Sequence, residues 1–130
     1  MKYAIILLFM IFLHVVDDYY LQGILASMKQ KSWWLKNSEY NDKYKNDYVV
    51  ALIMHSFSWT FMVMLPVLIY LILFRNITWT FLYLFAVNLF CHAYTDNEKA
   101  NKKTINLVQD QTIHIFQIAM TFVILVLIGV

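Results

Sequence analysis

Four long apolar runs, separated by two polar segments and one very short connection, constrain what this chain can fold into. The runs cover roughly residues 3–26, 48–74, 77–95 and 107–129. A helix needs about 20 apolar residues to cross the hydrocarbon of a bilayer, so each run is long enough for one crossing. None of the runs alternates polar and apolar residues as the strands of a membrane barrel do. The sequence therefore predicts an all-α, polytopic membrane protein with four transmembrane helices in two hairpins, forming a single transmembrane domain over 1–130.

The composition excludes the other broad classes of protein. Of the 130 residues, 62% are hydrophobic and 14% are charged, against about 45–50% and 25% in soluble domains. The same figures exclude a disordered chain, and a net charge of +2 is too small to indicate a nucleic-acid partner. Membrane lipids are the expected partners, and a homo-oligomer is compatible with the sequence. The single cysteine, Cys91, is predicted to pack as a small apolar residue.

The lysines indicate how the helices are oriented. The polar loops 28–47 and 96–106 contain eight lysines, whereas the opposite side has only Lys2 and Arg75. Because positively charged loops stay in the cytoplasm, we expect both loops to be cytoplasmic and both termini to be outside a bacterial inner membrane. The first run has no small-residue cleavage region after it, so we predict a retained helix and not a signal peptide.

The four histidines of the chain each fall in a different apolar run. Ionisable groups at membrane depth are costly and usually serve a function. Three of the histidines have an aspartate four residues away, a spacing that places both side chains on one helix face. These pairs are His14 with Asp18, His92 with Asp96, and His114 with Asp110, while His55 stands alone.

The positions of the histidines along the runs predict that they meet in one layer. His55 and His114 each lie seven residues inside the cytoplasmic end of their run, which is roughly 10 Å at about 1.5 Å per residue. His92 precedes the exit of the third helix on the same side, and His14 lies in the inner half of the first. We therefore expect all four imidazoles to converge below the cytoplasmic surface.

Imidazoles and carboxylates together suit a divalent transition metal such as zinc, iron or manganese. The set has more donors than one tetrahedral ion needs, so we predict one or two ions, a pair being about 3.5–4 Å apart and bridged by an aspartate. A bound water would be the nucleophile, with Asp18, Asp96 and Asp110 as the catalytic aspartates. Asp17, Gln22 and Gln111 are predicted to orient ligands or water. The predicted ligands are His14, Asp18, His55, His92, Asp96, Asp110 and His114.

Two other kinds of site fit the sequence poorly. A ferritin-like di-iron site needs several inward-facing glutamates, and the only glutamates, Glu39 and Glu98, lie in the polar loops. Ser56 and Ser58 flank His55 but lack the glycines of a nucleophile elbow.

These motifs resemble those of a family of small bacterial and phage membrane proteins that is described only as a domain of unknown function. Its pattern is H-x-x-x-D-(F/Y)-x-x-Q, a lone histidine, H-x-x-x-D and then D-Q-x-x-H, which residues 14–22, His55, 92–96 and 110–114 match. The resemblance spans nearly the whole chain and implies a shared membrane fold and shared polar residues, but no particular reaction. A looser similarity connects the chain with membrane-bound metal-dependent hydrolases, which also use intramembrane histidine and aspartate.

Our leading hypothesis is a membrane-embedded metal-dependent hydrolase that acts on a lipid-like phosphoester or ester. One alternative is an ion or proton transport protein, which predicts a polar path to the outer face. The outer segments 65–74 and 118–130 are almost wholly apolar, which counts against it, although an oligomer could supply a route. The other alternative is a non-enzymatic membrane protein, such as a holin or a subunit with a structural metal.

Overall fold

The computed structural model describes residues 1–37 and 42–127, and all the regular secondary structure in those ranges is helical. The all-α prediction is therefore confirmed for the described part of the chain. Glu39 and the predicted last two residues of the fourth helix, 128–129, lie outside the described residues. The α-helices are α1 (Lys2–Val16), α2 (Leu25–Met28), α3 (Lys31–Asn37), α4 (Asp47–Phe74), α5 (Trp79–Asn97) and α6 (Leu107–Leu127). π-Helical turns at Asp17–Leu21 and Glu98–Lys102 continue α1 and α5, and a 3-10 turn covers Asp42–Tyr44.

The four long helices form an antiparallel bundle in chain order. Helix α1 packs against α4 and α6, and α5 packs against the same two helices. At one end, Lys2 at the start of α1 donates a hydrogen bond of 2.8 Å to Tyr70 near the end of α4. Towards the other end, Ser58 in the first half of α4 donates one of 2.6 Å to Asp17, just after α1. All four histidines belong to this second end, which we call the histidine end.

An apolar core fills the half of the bundle that lies between the histidine layer and the end where Lys2 contacts Tyr70. Its side chains come from all four long helices and are at most 4% exposed. Met10, Trp59 and Ile118 each lie four residues from a histidine of the same helix, so on these helices the face that carries the histidine becomes apolar one turn away. The core residues are Met10, Trp59, Val63, Met64, Val67, Leu71, Phe81, Leu84, Ile118 and Leu125.

The outer surface of the bundle is also apolar. Three helical segments are long and apolar enough to cross a membrane: Lys2–Leu21, Asp47–Phe74 and Leu107–Leu127. In the most apolar 18-residue stretch of each segment, no more than 33% of the residues are buried inside the bundle. Helix α5 is not among them, because Asn88, His92 and Asp96 lower its hydropathy. By length and composition, three of the four predicted transmembrane helices are therefore present in the structure.

Cys91 is exposed on the outer face of α5, so the prediction that it packs inside was wrong. The inward face of α5 follows Asn88, His92 and Asp96, which are buried at four-residue spacing. Cys91 lies beside this stripe and points outward, as do Phe90 and several other large apolar side chains.

The first helix ends earlier than the predicted residue 26. Its regular hydrogen bonding stops at Leu21, and Gly23 adopts a φ of +49°, a left-handed conformation that glycine reaches without strain. The chain turns there and continues as the short helix α2, which packs against α4. The apolar residues after Gly23 therefore cover the histidine end and do not lengthen α1.

The described parts of the two polar loops contain helical turns and contact each other. The loop 28–47 contains α3, and in the loop 96–106 α5 ends at Asn97 and is continued by the π-helical turn Glu98–Lys102. Asn101 donates to the carbonyl of Lys29 at 3.1 Å, and its side-chain oxygen accepts from the backbone N–H of Lys31 at 2.7 Å. These bonds hold Lys29 over the histidine end of the bundle.

Side-chain caps determine where α5 and α6 begin. The Thr78 hydroxyl accepts a hydrogen bond from the N–H of Phe81. Asn106 accepts from the N–H of Gln109 at 3.0 Å, and the Gln109 side chain accepts from the N–H of Asn106 at 2.9 Å. This reciprocal pair is a capping box, and it places Asp110 and His114 in the first two turns of α6.

Candidate metal centre

The four histidines meet in one buried layer, as their positions in the sequence predict. Each is at most 1% exposed. The Nε2 atoms of His55 and His92 lie 3.3 Å apart, and the rings of His92 and His114 stack with centroids 4.2 Å apart. His14 meets the edge of His114 at a centroid distance of 5.8 Å. One histidine from each long helix therefore contributes to the layer.

The first group of possible metal ligands consists of Asp18, His55 and His92. The Nε2 atom of His55 lies 3.4 Å from Asp18 Oδ1 and 3.3 Å from His92 Nε2. Asp18 belongs to the π-helical turn after α1, where the backbone carries its carboxylate towards α4.

The second group is centred on His114. Its Nε2 atom lies 3.3 Å from Asp110 Oδ1 on the same helix and 3.4 Å from Asp96 Oδ1 on α5. The other oxygen of Asp96, Oδ2, lies 3.3 Å from His55 Nε2. Asp96 therefore faces both groups, one with each oxygen, which is the geometry of a bridging carboxylate.

These separations match the spacing of ligands around a small divalent ion. With metal–ligand bonds of about 2.0–2.1 Å, two ligands at neighbouring corners of a tetrahedron are about 3.3–3.4 Å apart. In three sets of three residues, one ligand atom per residue can be chosen so that all three lie within 4.8 Å of one another. These sets are Asp18, His55 and His92; His92, Asp96 and His114; and Asp18, Asp110 and His114. The buried His/Asp groups could therefore hold a metal ion.

Several polar atoms of the cluster are buried without a hydrogen-bond partner among the described residues. They include Oδ1 of Asp110 and both ring nitrogens of His114. Because a buried polar atom without a partner is costly, native proteins rarely leave one unsatisfied. A cation between these atoms would satisfy the nitrogen and the carboxylate oxygen at once, so the donor set fits a metal ion.

His14 lies beside the candidate groups. Among the described residues, no group of possible ligands includes it. Its Nδ1 atom accepts a hydrogen bond of 2.7 Å from the indole N–H of Trp59. Its Nε2 atom lies 3.1 Å from Oε1 of Gln111. Because Nδ1 is an acceptor, Nε2 carries the proton and donates to Gln111, so both ring nitrogens are engaged.

Gln111 and Asp17 hold charged and imidazole groups of the cluster in place. The Gln111 amide donates to Asp18 Oδ2 at 2.8 Å and to Asp110 Oδ2 at 3.1 Å, so it joins the two candidate groups. Asp17 Oδ1 accepts from Ser58 at 2.6 Å, and its Oδ2 lies 3.8 Å from Nδ1 of His55. Asp17 thus faces the side of His55 opposite to the cluster.

Gln22 lies in the turn after α1 and contacts the backbone. Its amide donates to the carbonyl oxygen of Asp18, while its own carbonyl oxygen is buried without a hydrogen-bond partner in the described structure. It also lines the cavity described below.

Trp59 is a central residue of the site that the sequence analysis missed. It is fully buried, stacks on His92 with ring centroids 4.1 Å apart, and donates to His14. Trp59 follows His55 by four residues, so the helical spacing could have identified it as a neighbour of the histidine layer.

Two lysines form ion pairs with aspartates of the cluster, contacts that the sequence did not predict. Lys29 Nζ lies 2.5 Å from Asp96 Oδ2, in a pair that is nearly buried. Lys99 Nζ lies 2.6 Å from Asp110 Oδ2. Neither ion pair could be predicted from the spacing of residues within one helix, because each lysine contacts an aspartate of another helix.

A polar cavity opens at the histidine end. Its volume is about 470 Å³, and Asp96 forms part of its wall together with Lys29, Lys99 and Lys103. In the opposite direction the polar layer extends by one turn, where Asn88 contacts Thr121 at 2.8 Å and Gln117 at 2.9 Å. Beyond that turn, the apolar core fills the bundle.

An ion pair at the rim of this end lies outside the long helices. Lys102 donates to Glu98 at 2.5 Å, and Thr104 donates to the same carboxylate at 2.6 Å. The Lys102 ammonium is the main reason that the pKa of Glu98 lies below its ordinary value, and Glu98 in turn raises the pKa of Lys102.

Comparison of the chain with protein-family models, with curated proteins and with solved structures finds no match.

Proposed function

We propose that this chain is an integral membrane protein that acts as a metal-dependent hydrolase on a phosphoester or other ester of a lipid-like substrate. One or two divalent ions would be held by the buried histidines and aspartates. The observation that carries the proposal is the spacing of about 3.3–3.4 Å between imidazole nitrogens and carboxylate oxygens that come from all four long helices. Structural packing alone does not require five ionisable ligands to converge at that spacing.

The proposal takes α5 as the fourth transmembrane helix. It has 19 residues, or about 28 Å at 1.5 Å per residue, close to the thickness of the hydrocarbon core. It packs between α4 and α6, and its outward side chains, such as Leu82 and Phe90, are large and apolar. The lysine-rich histidine end would be cytoplasmic, with both termini outside a bacterial inner membrane.

We assign the ligands to two neighbouring positions. Asp18, His55 and His92 would hold one ion, and Asp110 with His114 would hold a second, with Asp96 bridging the two. His14 was predicted to be a metal ligand, but both of its ring nitrogens are already hydrogen-bonded. We therefore propose that His14 positions Gln111 and does not bind the metal. Zinc, iron and manganese all accept such a donor set.

One side of the cluster faces the lysine-lined cavity, whose wall includes the buried Asp96. Three protein ligands and an open position are typical of catalytic metal sites, and a divalent ion there supplies an activated water and polarises the ester. An aspartate would accept the proton from the water, and Gln111 is placed to orient that aspartate, because its amide contacts both Asp18 and Asp110. Asp17 would orient His55 through Nδ1.

A transport function is less well supported. The cluster communicates with the cavity at the histidine end, but the apolar core, including Val63, Leu71 and Leu84, fills the other half of the bundle. Ions would have to cross this packed region. A structural role for the metal is the more serious alternative, because the ligands are buried.

We also propose that the chain belongs with the small bacterial and phage membrane proteins that its motifs resemble. Six of the residues that carry the resemblance converge in the cluster as possible ligands, namely Asp18, His55, His92, Asp96, Asp110 and His114. Shared motifs would then reflect a shared metal centre.

Elemental analysis of the full chain, purified in detergent without chelators, tests the metal. We expect one or two equivalents of a transition metal per chain, and less than a tenth of that in Asp96→Asn and His92→Ala. Asn88→Ala is the matched control, because Asn88 is buried on the same face of α5 one turn away and is not a proposed ligand. Equal metal content in all four proteins would contradict the assignment.

Activity measurements separate catalysis from a structural metal. Hydrolysis of ester and phosphoester substrates is assayed with the wild-type chain and with Gln111→Leu, which leaves every proposed ligand in place. If Gln111→Leu is folded and contains metal but hydrolyses the substrate at least about a hundredfold more slowly than the wild type, the result supports a catalytic metal. A metal-loaded wild-type chain that hydrolyses none of the substrates would favour the structural role.

A further inference from the structure

The cavity at the histidine end has the size and position of a substrate site. It lies between the turn after α1 and the π-helical continuation of α5, and its volume of about 470 Å³ falls within the range of about 300–1,000 Å³ typical of small-molecule sites. Asp96 connects its wall with the cluster, while Gln22 and Gln30 supply amides to the wall.

Three lysines line this cavity. Lys29 and Lys99 reach inward to the aspartates of the cluster, at 2.5 Å and 2.6 Å. Lys103 is exposed, and within the described ranges no acidic side chain pairs with it. The wall therefore combines three ammonium groups and amide donors with only one carboxylate, that of Asp96.

The charges of the cluster and of the cavity are linked. In their ionised forms, the cluster aspartates Asp17, Asp18, Asp96 and Asp110 carry four negative charges, of which the ammonium groups of Lys29 and Lys99 neutralise two. Two divalent ions would neutralise all four. The lysine charges would then be in excess at the cavity, where they would attract an anion.

We propose that the cavity binds the phosphate group of a phosphomonoester, and that the bond hydrolysed at the neighbouring centre is its P–O ester bond. The second part rests on the proposed hydrolase function. A phosphomonoester carries nearly two negative charges at neutral pH, which match the lysines, whereas a neutral carboxylic ester gains nothing from them. Water attacks the phosphorus and the ester P–O bond breaks. One proton of the water passes through an aspartate to the departing alkoxide, leaving an alcohol and inorganic phosphate.

Binding of inorganic phosphate to the zinc-loaded full chain in detergent, measured by calorimetry, tests the site. Lys103→Gln should weaken binding about tenfold, the loss expected for one charge-assisted hydrogen bond. Lys102→Gln is the matched control, since Lys102 is the adjacent lysine, undergoes the same charge change, pairs with Glu98 and does not line the cavity. Equal affinities in the two variants would overturn the proposal.

The phosphate could belong to a lipid headgroup or to a soluble ester. Mixed micelles of detergent and phosphatidylcholine, prepared with and without phosphatidic acid, distinguish the two sources. Competition by phosphatidic acid with inorganic phosphate, dependent on Lys103, supports a lipid phosphomonoester. Unchanged phosphate binding in its presence supports a soluble phosphomonoester.

Failure of the cavity and failure of the hydrolase give different results. Zinc uptake without phosphate binding overturns the cavity site and leaves the metal centre standing. Lys103-dependent phosphate binding without zinc uptake overturns the hydrolase and leaves an anion site. Where both are present, Lys103→Gln should lower kcat/KM about tenfold for p-nitrophenyl phosphate and leave it unchanged for p-nitrophenyl acetate. Equal losses for both esters would overturn the assignment of the P–O bond.

Discussion

The indole ring of Trp59 stacks on the imidazole of His92, with ring centroids 4.1 Å apart and 19° between the planes. The same indole donates a hydrogen bond of 2.7 Å to Nδ1 of His14, and its ring lies 5.4 Å from that of His114. One side chain of α4 therefore contacts imidazoles from the three other long helices. Its rigid ring restricts how far those imidazoles can move relative to one another.

Replacing Trp59 by phenylalanine separates the two contacts of the indole. Trp59→Phe keeps an aromatic ring against His92 but removes the donor to His14, whose buried Nδ1 is then without a partner. We expect a loss of about 1–3 kcal/mol in the free energy of unfolding and weaker metal binding. Unfolding in mixed micelles and a zinc titration would measure the two effects.

Trp59→Leu serves as the comparison, because it also removes the stacked ring and leaves a cavity. It should cost more than Trp59→Phe in both measurements. If Trp59→Phe binds zinc as tightly as the wild type, the hydrogen bond to His14 does not position the centre.

Removing the metal should destabilise the whole bundle, because the proposed ligands come from all four long helices. An ion present at about 100 times its dissociation constant stabilises the folded state by about 2.7 kcal/mol. Adding a chelator to the purified chain should therefore lower the melting temperature, and added zinc should restore it. The melting temperature of Asp96→Asn should respond to neither addition. A chelator response of the same size in that variant would contradict the assigned ligand.

The sequence predicts the long helices well because their information is local. The predicted run 48–74 differs from α4 by one residue at its start, and the predicted run 77–95 differs from α5 by two at each end. The prediction fails at Gly23, where the apolar run continues but the backbone turns. Hydropathy reports how a residue interacts with lipid and contains no information about a left-handed φ.

The histidine layer could be predicted for a similar reason, whereas its surroundings could not. Spacing of four residues pairs His92 with Asp96, and depth along the helices aligns the four imidazoles. The same rule would have found Trp59 from His55. Lys29 could not be found this way, because its contact with Asp96 depends on how the chain folds back after Gly23.

The proposed orientation predicts which positions react with a membrane-impermeant maleimide. Cys91 is the single cysteine of the chain and faces outward on α5, so in lipid it should be unreactive until detergent is added. In a Cys91→Ser background, Asn76→Cys should react from outside intact cells, and Ser32→Cys should react only after the membrane is opened. Reaction of Ser32→Cys in intact cells would reverse the orientation.

The ion pair at the rim predicts a specific pH dependence. Because Lys102 lowers the pKa of Glu98, the contribution of the pair to stability is present above the ordinary glutamate pKa of about 4.3. It is lost as the pH falls through the lowered value. An NMR titration of the Glu98 carboxyl carbon should give a midpoint below about 4.3, and Lys102→Met should raise it. A midpoint that Lys102→Met leaves unchanged would show that the pair does not determine the pKa.

Lys29 and a metal ion should substitute for each other at Asp96. The Lys29 ammonium lies 2.5 Å from Asp96 Oδ2 in a nearly buried pair, and removing one partner of a buried pair costs about 3–5 kcal/mol because the other charge is left uncompensated. In metal-free protein, Lys29→Met should therefore be strongly destabilised, whereas Lys36→Met, at an exposed lysine of α3, should not. Zinc should restore most of the stability of Lys29→Met, because the ion then compensates the charge of Asp96. Unfolding of both variants with and without zinc measures this rescue. If zinc leaves Lys29→Met as unstable as before, Asp96 does not bind the metal.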